Sequence, residues 1–184
     1  MNSSLIIFIV LLVVVALYLI IVYNGLVSKR NMARNAFSSI DVNLKKRADL
    51  IPALVNTVKG YAAHEQETLA RVIELRNQIQ NAETDGERFR LEGQVGPEMG
   101  RLFALSESYP ELKSNEQFLN LQRNLTEIEE QISAARRAYN AAVFEINNSV
   151  ESFPTNLIAA KFGFTRHDFF EANASDRAIS SVSF

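Results

Sequence analysis

One long amphipathic stretch, residues 114–153, most constrains how this chain can fold. Its apolar positions recur at alternating intervals of three and four residues, and charged residues occupy many of the positions between them. This period is typical of a helix with one buried stripe and one solvated face, here extending over about five heptads. The stripe consists of Phe118, Leu121, Leu125, Ile128, Ile132, Ala135, Tyr139, Ala142, Ile146, Ser149 and Phe153. Because such a stripe is unfavourable in water, the sequence predicts partner helices along most of its length.

Both ends of this helix carry recognisable signals. Ser114 and Gln117 have the spacing of a capping box, in which the two side chains satisfy free amides of the first helical turn. Pro154 disfavours helical geometry in the residue before it. We therefore expect the helix to begin at Ser114 and to end near Phe153.

Helical patterns also precede this stretch. Apolar residues between positions 33 and 61 recur at the same period, and a second amphipathic pattern covers about residues 65–82. Thr84 is a candidate cap for a third helix, which Gly86, Gly93 and Gly96-Pro97 are expected to interrupt. The connections are short, which favours antiparallel neighbours. We predict an all-α protein, with an up-and-down antiparallel four-helix bundle of long, coiled-coil-like helices after an amino-terminal transmembrane helix.

The amino-terminal residues 5–23 contain neither a charge nor a helix breaker. Nineteen helical residues span about 28 Å, which matches the hydrocarbon core of a bilayer. A cleaved signal peptide is the alternative, but no basic residue precedes the run and no small-residue cleavage site follows it. We expect an uncleaved anchor within residues 1–24, a helical bundle over residues 25–164 and an aromatic segment over residues 165–184.

Basic residues flank the apolar run on one side only. Lys29, Arg30 and Arg34 follow it, whereas the four residues before it contain no lysine or arginine. This asymmetry predicts an external amino terminus and a cytoplasmic body. The three residues are candidates for contact with anionic lipid headgroups, although a role as ordinary stop-transfer charges accounts for them fully. With a net charge of −2, nucleic acid is not expected as the main partner.

Residue patterns typical of enzymes are weak in this chain. His64-Glu65 resembles the start of a zinc-protease motif, but Thr68 occupies the position of the second histidine ligand. The chain has no cysteine, and we find no glycine-rich phosphate loop, cofactor motif or Ser/His/Asp set. The sequence therefore predicts no enzymatic activity, no metal and no cofactor.

Several motifs together resemble the bacterial LemA family. They occupy residues 39–55, 58–61, 64–65, 108–113 and 136–140, followed by Phe153-Pro154 and Gly163-Phe164. The resemblance covers essentially the whole chain. It implies an amino-terminally anchored membrane protein with a four-helix cytoplasmic domain, no assigned enzymatic activity and, through a relative in magnetosome membrane biogenesis, a link to membrane organisation. Residues 93–100 of this chain are rich in glycine, whereas relatives tend to be continuously helical at this place.

These patterns favour a scaffold or interaction protein at the cytoplasmic face of the bacterial inner membrane. We expect it to contact the lipid bilayer, to form a homo-oligomer and to bind membrane-protein partners. The alternative is an accessory subunit of a membrane protease or an uncharacterised hydrolase. The candidate interface residues are charged, polar or aromatic: Asp41, Arg47, Asp49, Arg136, Tyr139, Asn140, Phe169 and Phe170.

The carboxyl end is unusually aromatic. Six of the twelve phenylalanines lie in the last 32 positions: Phe153, Phe162, Phe164, Phe169, Phe170 and Phe184. Thr165 and Asp168 have a capping-type spacing, which predicts a short helix over residues 166–172. Its rings are expected either to cover the bundle's own core or to contact a second copy or the lipid interface.

Overall fold

A computed structural model describes residues 3–170 of the chain. Within this range every regular element is a helix and no strand occurs, so the prediction of an all-α protein is confirmed. In chain order the helices are α1 (Ser3–Lys59), α2 (Gln66–Gln80), α3 (Asp85–Leu105), α4 (Pro110–Lys113), α5 (Glu116–Glu151) and α6 (Thr155–Lys161).

Helix α1 joins the apolar run to the first predicted soluble helix without a break. The large apolar side chains of residues 5–21 are exposed, whereas Leu26 is only 2% exposed and marks the start of the buried part of α1. Among the described residues, α1 is the one helix whose length and composition would allow it to cross a membrane. The prediction of a single long apolar helix at the amino terminus is confirmed.

The chain folds into two compact units, and α1 and α5 each contribute to both. Of the described residues, unit 1 contains 3–39 and 135–170, and unit 2 contains 40–134. The boundaries at residues 24 and 164, which the sequence predicts between the anchor, the helical bundle and the aromatic segment, stay a prediction.

Unit 2 encloses a hydrophobic core to which α1, α2, α3 and α5 contribute side chains at helical intervals and α4 contributes Leu112. These side chains are Ile51, Leu54, Val55 and Val58 of α1, Leu69, Val72, Leu75 and Ile79 of α2, Leu91, Val95, Met99 and Leu102 of α3, and Phe118, Leu121 and Leu125 of α5. The predicted stripe of α5 is thus a buried face in this unit, as its period requires.

In unit 1 the same stripe is half-buried at Tyr139 and buried at Ala142 and at Ile146, which is 1% exposed. Phe153, its last predicted member, is instead 80% exposed. Its assignment to the buried stripe is wrong because α5 ends at Glu151, so the helical period no longer applies at residue 153.

Helix α5 begins at Glu116 and is capped by Asn115, not by Ser114. The Asn115 Oδ1 atom accepts a hydrogen bond from the Phe118 backbone N–H at 2.8 Å. Ser114 follows the short helix α4, where its hydroxyl donates to the Glu111 carbonyl at 3.2 Å. The predicted capping box is therefore wrong, because α4 occupies Ser114 as its own carboxyl-terminal cap.

Helix α3 runs continuously from Asp85 to Leu105, with Pro97 in its interior. The Thr84 side chain caps it by accepting a hydrogen bond from the Glu87 N–H at 3.2 Å, as predicted. The predicted interruption is wrong. Four glycines and one proline cost the helix about 7 kcal/mol in propensity, whereas its four buried core residues gain roughly 6–12 kcal/mol, so packing offsets the weak local preference.

The described residues of unit 1 include two small clusters of buried side chains. Leu26 of α1, Ile146 of α5, Ile158 and Ala159 of α6, and Phe164 form the first, and Ala33, Ala142 and Val143 form the second.

The sequence patterns did not predict α6. The short helix expected over residues 166–172 is wrong for its described part, because residues 164–170 adopt no helical structure. Ala172 and Phe184, which belong to the same expectation, lie outside the described residues.

Candidate functional site

The candidate site in unit 1 is the surface of α5 that holds residues 164–170, here named the C-terminal segment. Gly163 turns the chain back after α6, with a φ of 70° that favours glycine. The Phe164 N–H bonds to the Ala159 carbonyl at 2.9 Å and the Gly163 N–H to the Ala160 carbonyl at 3.4 Å. This is the Schellman pattern for a helix end, and it directs the C-terminal segment onto α5.

Two asparagines of α5, here named the asparagine clamp, bind the backbone of this segment. Asn147, which is 5% exposed, donates to the His167 carbonyl and accepts from the His167 N–H, both at 2.9 Å. Asn140 donates to the Phe170 carbonyl at 3.0 Å and accepts from the Phe170 N–H at 2.8 Å. Each side-chain amide therefore satisfies both backbone groups of one residue, as a neighbouring β-strand would.

The spacing of the asparagine clamp explains why the C-terminal segment is extended. Asn140 and Asn147 lie seven residues apart on α5, which is about 10.5 Å along a helix. His167 and Phe170 lie three residues apart, which is about 10 Å along an extended chain. These two distances match only when the C-terminal segment is extended. Because the earlier residue of the segment pairs with the later asparagine, the segment runs antiparallel to α5.

Side chains beside the asparagine clamp add further contacts. The Tyr139 hydroxyl donates to the Asp168 carbonyl at 3.0 Å, and its ring meets Phe37 edge-on with centroids 5.7 Å apart. Burial raises the pKa of Tyr139 above its ordinary value of 10.0, and the charge of Asp168 raises it further, so the hydroxyl keeps its proton near neutral pH. The Arg136 guanidinium lies 4.4 Å from the centroid of the Phe170 ring, within the range of a cation–π contact.

Four of the predicted interface residues therefore meet at one place. Arg136, Tyr139, Asn140 and Phe170 all take part in the contact between α5 and the C-terminal segment, and the neighbouring Phe169 side chain is 45% exposed. Sequence reasoning missed Asn147. The available signal was a polar residue seven positions after Asn140 and next to the buried Ile146 on the same amphipathic helix.

Two charged candidates, Arg47 and Asp41, form ion pairs within unit 2. Arg47, 2% exposed, contacts the side chains of Glu92 and Glu129, and it donates to the Glu92 carbonyl at 3.1 Å. Asp41 accepts from Arg88 at 2.6 Å. Arg47 thus lies in the interior of unit 2 as part of an ionic cluster.

Asp49 and the predicted membrane-surface residues are more exposed. Asp49 pairs with Lys45 at 3.5 Å on the outside of α1. Lys29 contacts Glu145 at 3.2 Å and Ser149 at 2.7 Å, and the Arg30 guanidinium lies 5.0 Å from the centroid of the Phe164 ring. Arg34 is exposed. Lys29 therefore contacts α5, and Arg30 contacts the ring that follows α6, both within unit 1.

A groove between α2 and α3 bears on the enzyme alternative. Its volume is about 710 Å³, and it is lined by Ala70, Ile73, Glu74, Asn77, Gln78, Asn81, Ala82 and Glu87. Its lining offers two carboxylates and three amides, without a histidine or a hydroxyl nucleophile beside them. Within residues 3–170 no three histidine, cysteine or acidic side chains are close enough to hold a metal ion. The groove therefore adds no support to the hydrolase alternative.

We expect Asn147→Asp to weaken the binding of the C-terminal segment. The carboxylate still accepts from the His167 N–H but cannot donate to the His167 carbonyl, and leaving such a buried group unpaired costs about 1–3 kcal/mol. Hydrogen exchange of the amides at residues 167 and 170 should then be about 5- to 150-fold faster, as measured by mass spectrometry on the full chain.

Asn148→Asp is the matched control, because Asn148 is the exposed neighbour on the same helix. It should leave exchange of these amides unchanged. If Asn147→Asp also left it unchanged, the asparagine clamp would not be what holds the C-terminal segment.

Comparison with known proteins agrees with the sequence motifs. The LemA family profile matches residues 36–184. Protein LemA of Metamycoplasma hominis is 28% identical over 155 residues, which cover 84% of this chain and 71% of that protein.

Two magnetosome proteins are also similar to this chain. Magnetosome protein MamQ of Magnetospirillum gryphiswaldense is 24% identical, with 85% of this chain and 68% of that protein covered. Magnetosome protein MamQ 2 of Paramagnetospirillum magneticum is 35% identical over 89 residues, which cover 48% of this chain and only 33% of that protein. Because the family profile spans four fifths of the sequence, including the asparagine clamp, this chain belongs to the LemA family.

Proposed function

We propose that this protein is a single-pass, membrane-anchored helical scaffold without enzymatic activity. The observation that carries the proposal is the character of α1. Its residues 5–21 expose apolar side chains, and the same helix continues into the buried contacts of Leu26 and Ala33 in unit 1. The apolar run of residues 5–23 covers about 28 Å of helix, which matches the hydrocarbon core of a bilayer, and the amphipathic part that follows is suited to a protein core.

The basic residues after the apolar run support one orientation of the chain in the membrane. Lys29, Arg30 and Arg34 follow the apolar run, and basic residues are retained on the cytoplasmic side of membrane helices. The amino terminus is therefore external, and the rest of the chain lies at the cytoplasmic face of the bacterial inner membrane. The same three residues face anionic headgroups of the inner leaflet.

The arrangement of the soluble helices is also part of the proposal. In unit 2, the shared core of α1, α2, α3 and α5 and the connections over residues 60–65 and 81–84 support an up-and-down antiparallel four-helix bundle. Long helices of this kind offer extended flat surfaces rather than deep clefts, which suits the binding of other proteins.

Self-association and a role in membrane organisation complete the proposal. Three relatives are named magnetosome proteins, which favours a role in organising a membrane structure. Within unit 1, Phe144 is 59% exposed on α5 and Met32 is 56% exposed on α1. Such exposed apolar side chains are suited to contact a second copy or a membrane-protein partner.

Cysteine labelling tests the anchor and its orientation, because the natural chain has no cysteine and therefore provides the unlabelled control. In spheroplasts of a bacterial host, a membrane-impermeant maleimide should label Ser3→Cys. It should label Met32→Cys only after lysis. The reverse pattern would place the body outside, and labelling of both positions in intact spheroplasts would contradict a membrane-spanning helix.

The same chemistry tests self-association. A bis-maleimide added to membranes that contain Phe144→Cys should produce covalent pairs of chains, and light scattering of the detergent-extracted natural chain should find more than one chain per particle. A single chain per particle, without cross-linked pairs, would contradict the scaffold as a homo-oligomer.

A further inference from the structure

Three large apolar side chains around α6 are strongly exposed. Phe153 is 80% exposed, Leu157 is 63% exposed and Phe162 is 58% exposed. They lie just before, within and just after a helix of seven residues. Among the described residues of unit 1 beyond the apolar run, no other segment of ten residues exposes three large apolar side chains. We name these three side chains the aromatic foot.

The opposite face of α6 determines where the aromatic foot lies. Ile158 and Ala159 are buried in the cluster that contains Leu26, against which Val22 and Val27 also pack. The Phe162 ring meets Tyr23 edge-on, with centroids 4.9 Å apart. Tyr23 is the last residue of the apolar run, so α6 is held at the level where the exposed part of α1 ends.

Charges around α6 suit a lipid surface. Lys161 is exposed in the last turn of α6 and Arg30 lies beside the Phe164 ring. Arg166 is 67% exposed and pairs with Glu151 at 2.9 Å. A short helix with apolar side chains on one side, protein contacts on the other and basic groups at its end matches the boundary between headgroups and acyl chains.

We propose that the aromatic foot is a second membrane contact, which inserts into the interfacial layer of the bilayer that α1 crosses. This inference rests on the proposed anchoring of α1. It assigns to α6 a lipid-binding role that the apolar run does not require. Its ligand is the lipid interface itself, in which aromatic side chains partition while Lys161 and Arg30 remain among the headgroups.

Tryptophan fluorescence tests this contact, because the natural chain contains no tryptophan. The full chain carrying Leu157→Trp or Phe162→Trp is reconstituted into vesicles of phosphatidylcholine and phosphatidylglycerol, with or without lipids brominated on their acyl chains. We expect the emission of both variants to shift to shorter wavelength and to be quenched by brominated lipid.

Two control positions match the probes in exposure. Leu12 is 57% exposed in the apolar run, and Met32 is 56% exposed on α1 about 13 Å beyond Tyr23 along the helix axis. Leu12→Trp should be quenched strongly and Met32→Trp weakly, and the two α6 variants should resemble Leu12→Trp.

The controls separate the possible failures. If Leu12→Trp is quenched while Leu157→Trp and Phe162→Trp behave like Met32→Trp, the aromatic foot does not contact lipid and the anchor stands. A shift to shorter wavelength without quenching means that protein, such as a second copy, covers α6, which also overturns the inference. An unquenched Leu12→Trp overturns the anchor and the inference together.

Discussion

Replacing Arg47 with methionine is expected to lower the free energy of unfolding by about 3–5 kcal/mol, because it leaves a buried charge without its partner. The Arg47 side chain is 2% exposed, and the Glu92 side chain that it contacts is 3% exposed. The second partner, Glu129, is 37% exposed and can be solvated. Most of the loss therefore comes from Glu92, in a protein with roughly 5–15 kcal/mol of total stability.

Urea unfolding of the full chain in detergent, followed by circular dichroism, measures this loss. Lys45→Met is the matched control, because Lys45 lies on the same helix in an exposed pair with Asp49 and is 79% exposed. It should cost less than about 1 kcal/mol. The double variant Arg47→Met/Glu92→Leu should recover most of the stability, since it removes both buried charges. Equal effects of Arg47→Met and Lys45→Met would show that the buried ionic cluster is not important for folding.

Replacing Leu125 with aspartate is expected to destabilise unit 2 by several kcal/mol, because it places an unpaired carboxylate among apolar side chains. Leu125 is 0% exposed and belongs to the hydrophobic core of unit 2. Ile132→Asp should have a similar effect, since Ile132 is 1% exposed.

Thermal unfolding of the full chain in detergent provides the measurement, and Leu119→Asp is the control on the same helix. Leu119 is 41% exposed, so an aspartate there remains hydrated and should change the melting temperature little. If Leu125→Asp melted at the temperature of the natural chain, the stripe on α5 would not be part of the core.

Much of this architecture could be predicted from the sequence because it depends on local periodicity. The stripe of α5 is buried from Phe118 to Ile146 except at the half-buried Tyr139, and the apolar run is an exposed helix continuous with the next one. The cap at Thr84 is similarly local, since it joins residues three positions apart. In each case the residues that define the pattern are also those that form the structure.

Local signals were misleading where neighbouring or distant residues compete for the same group. Pro97 lies inside α3 because buried residues on both sides offset its cost, and Asn115 caps α5 because the preceding helix α4 already engages Ser114. The extended C-terminal segment has the same origin. Thr165 and Asp168 have the spacing of a helical cap. The segment is nevertheless extended, because Asn147 and Asn140 of α5 bind the backbone of His167 and Phe170.

The sequence of this protein therefore specifies which stretches are helical and which faces are apolar, because those properties depend on spacings of three and four residues. It does not specify the partners of Arg47, the pairing of Asn147 with His167 or the position of α6 against Leu26. These contacts join residues that lie between 20 and more than 100 positions apart. They form only after the helices have packed, since the geometry that aligns them belongs to the packed helices and not to any single segment.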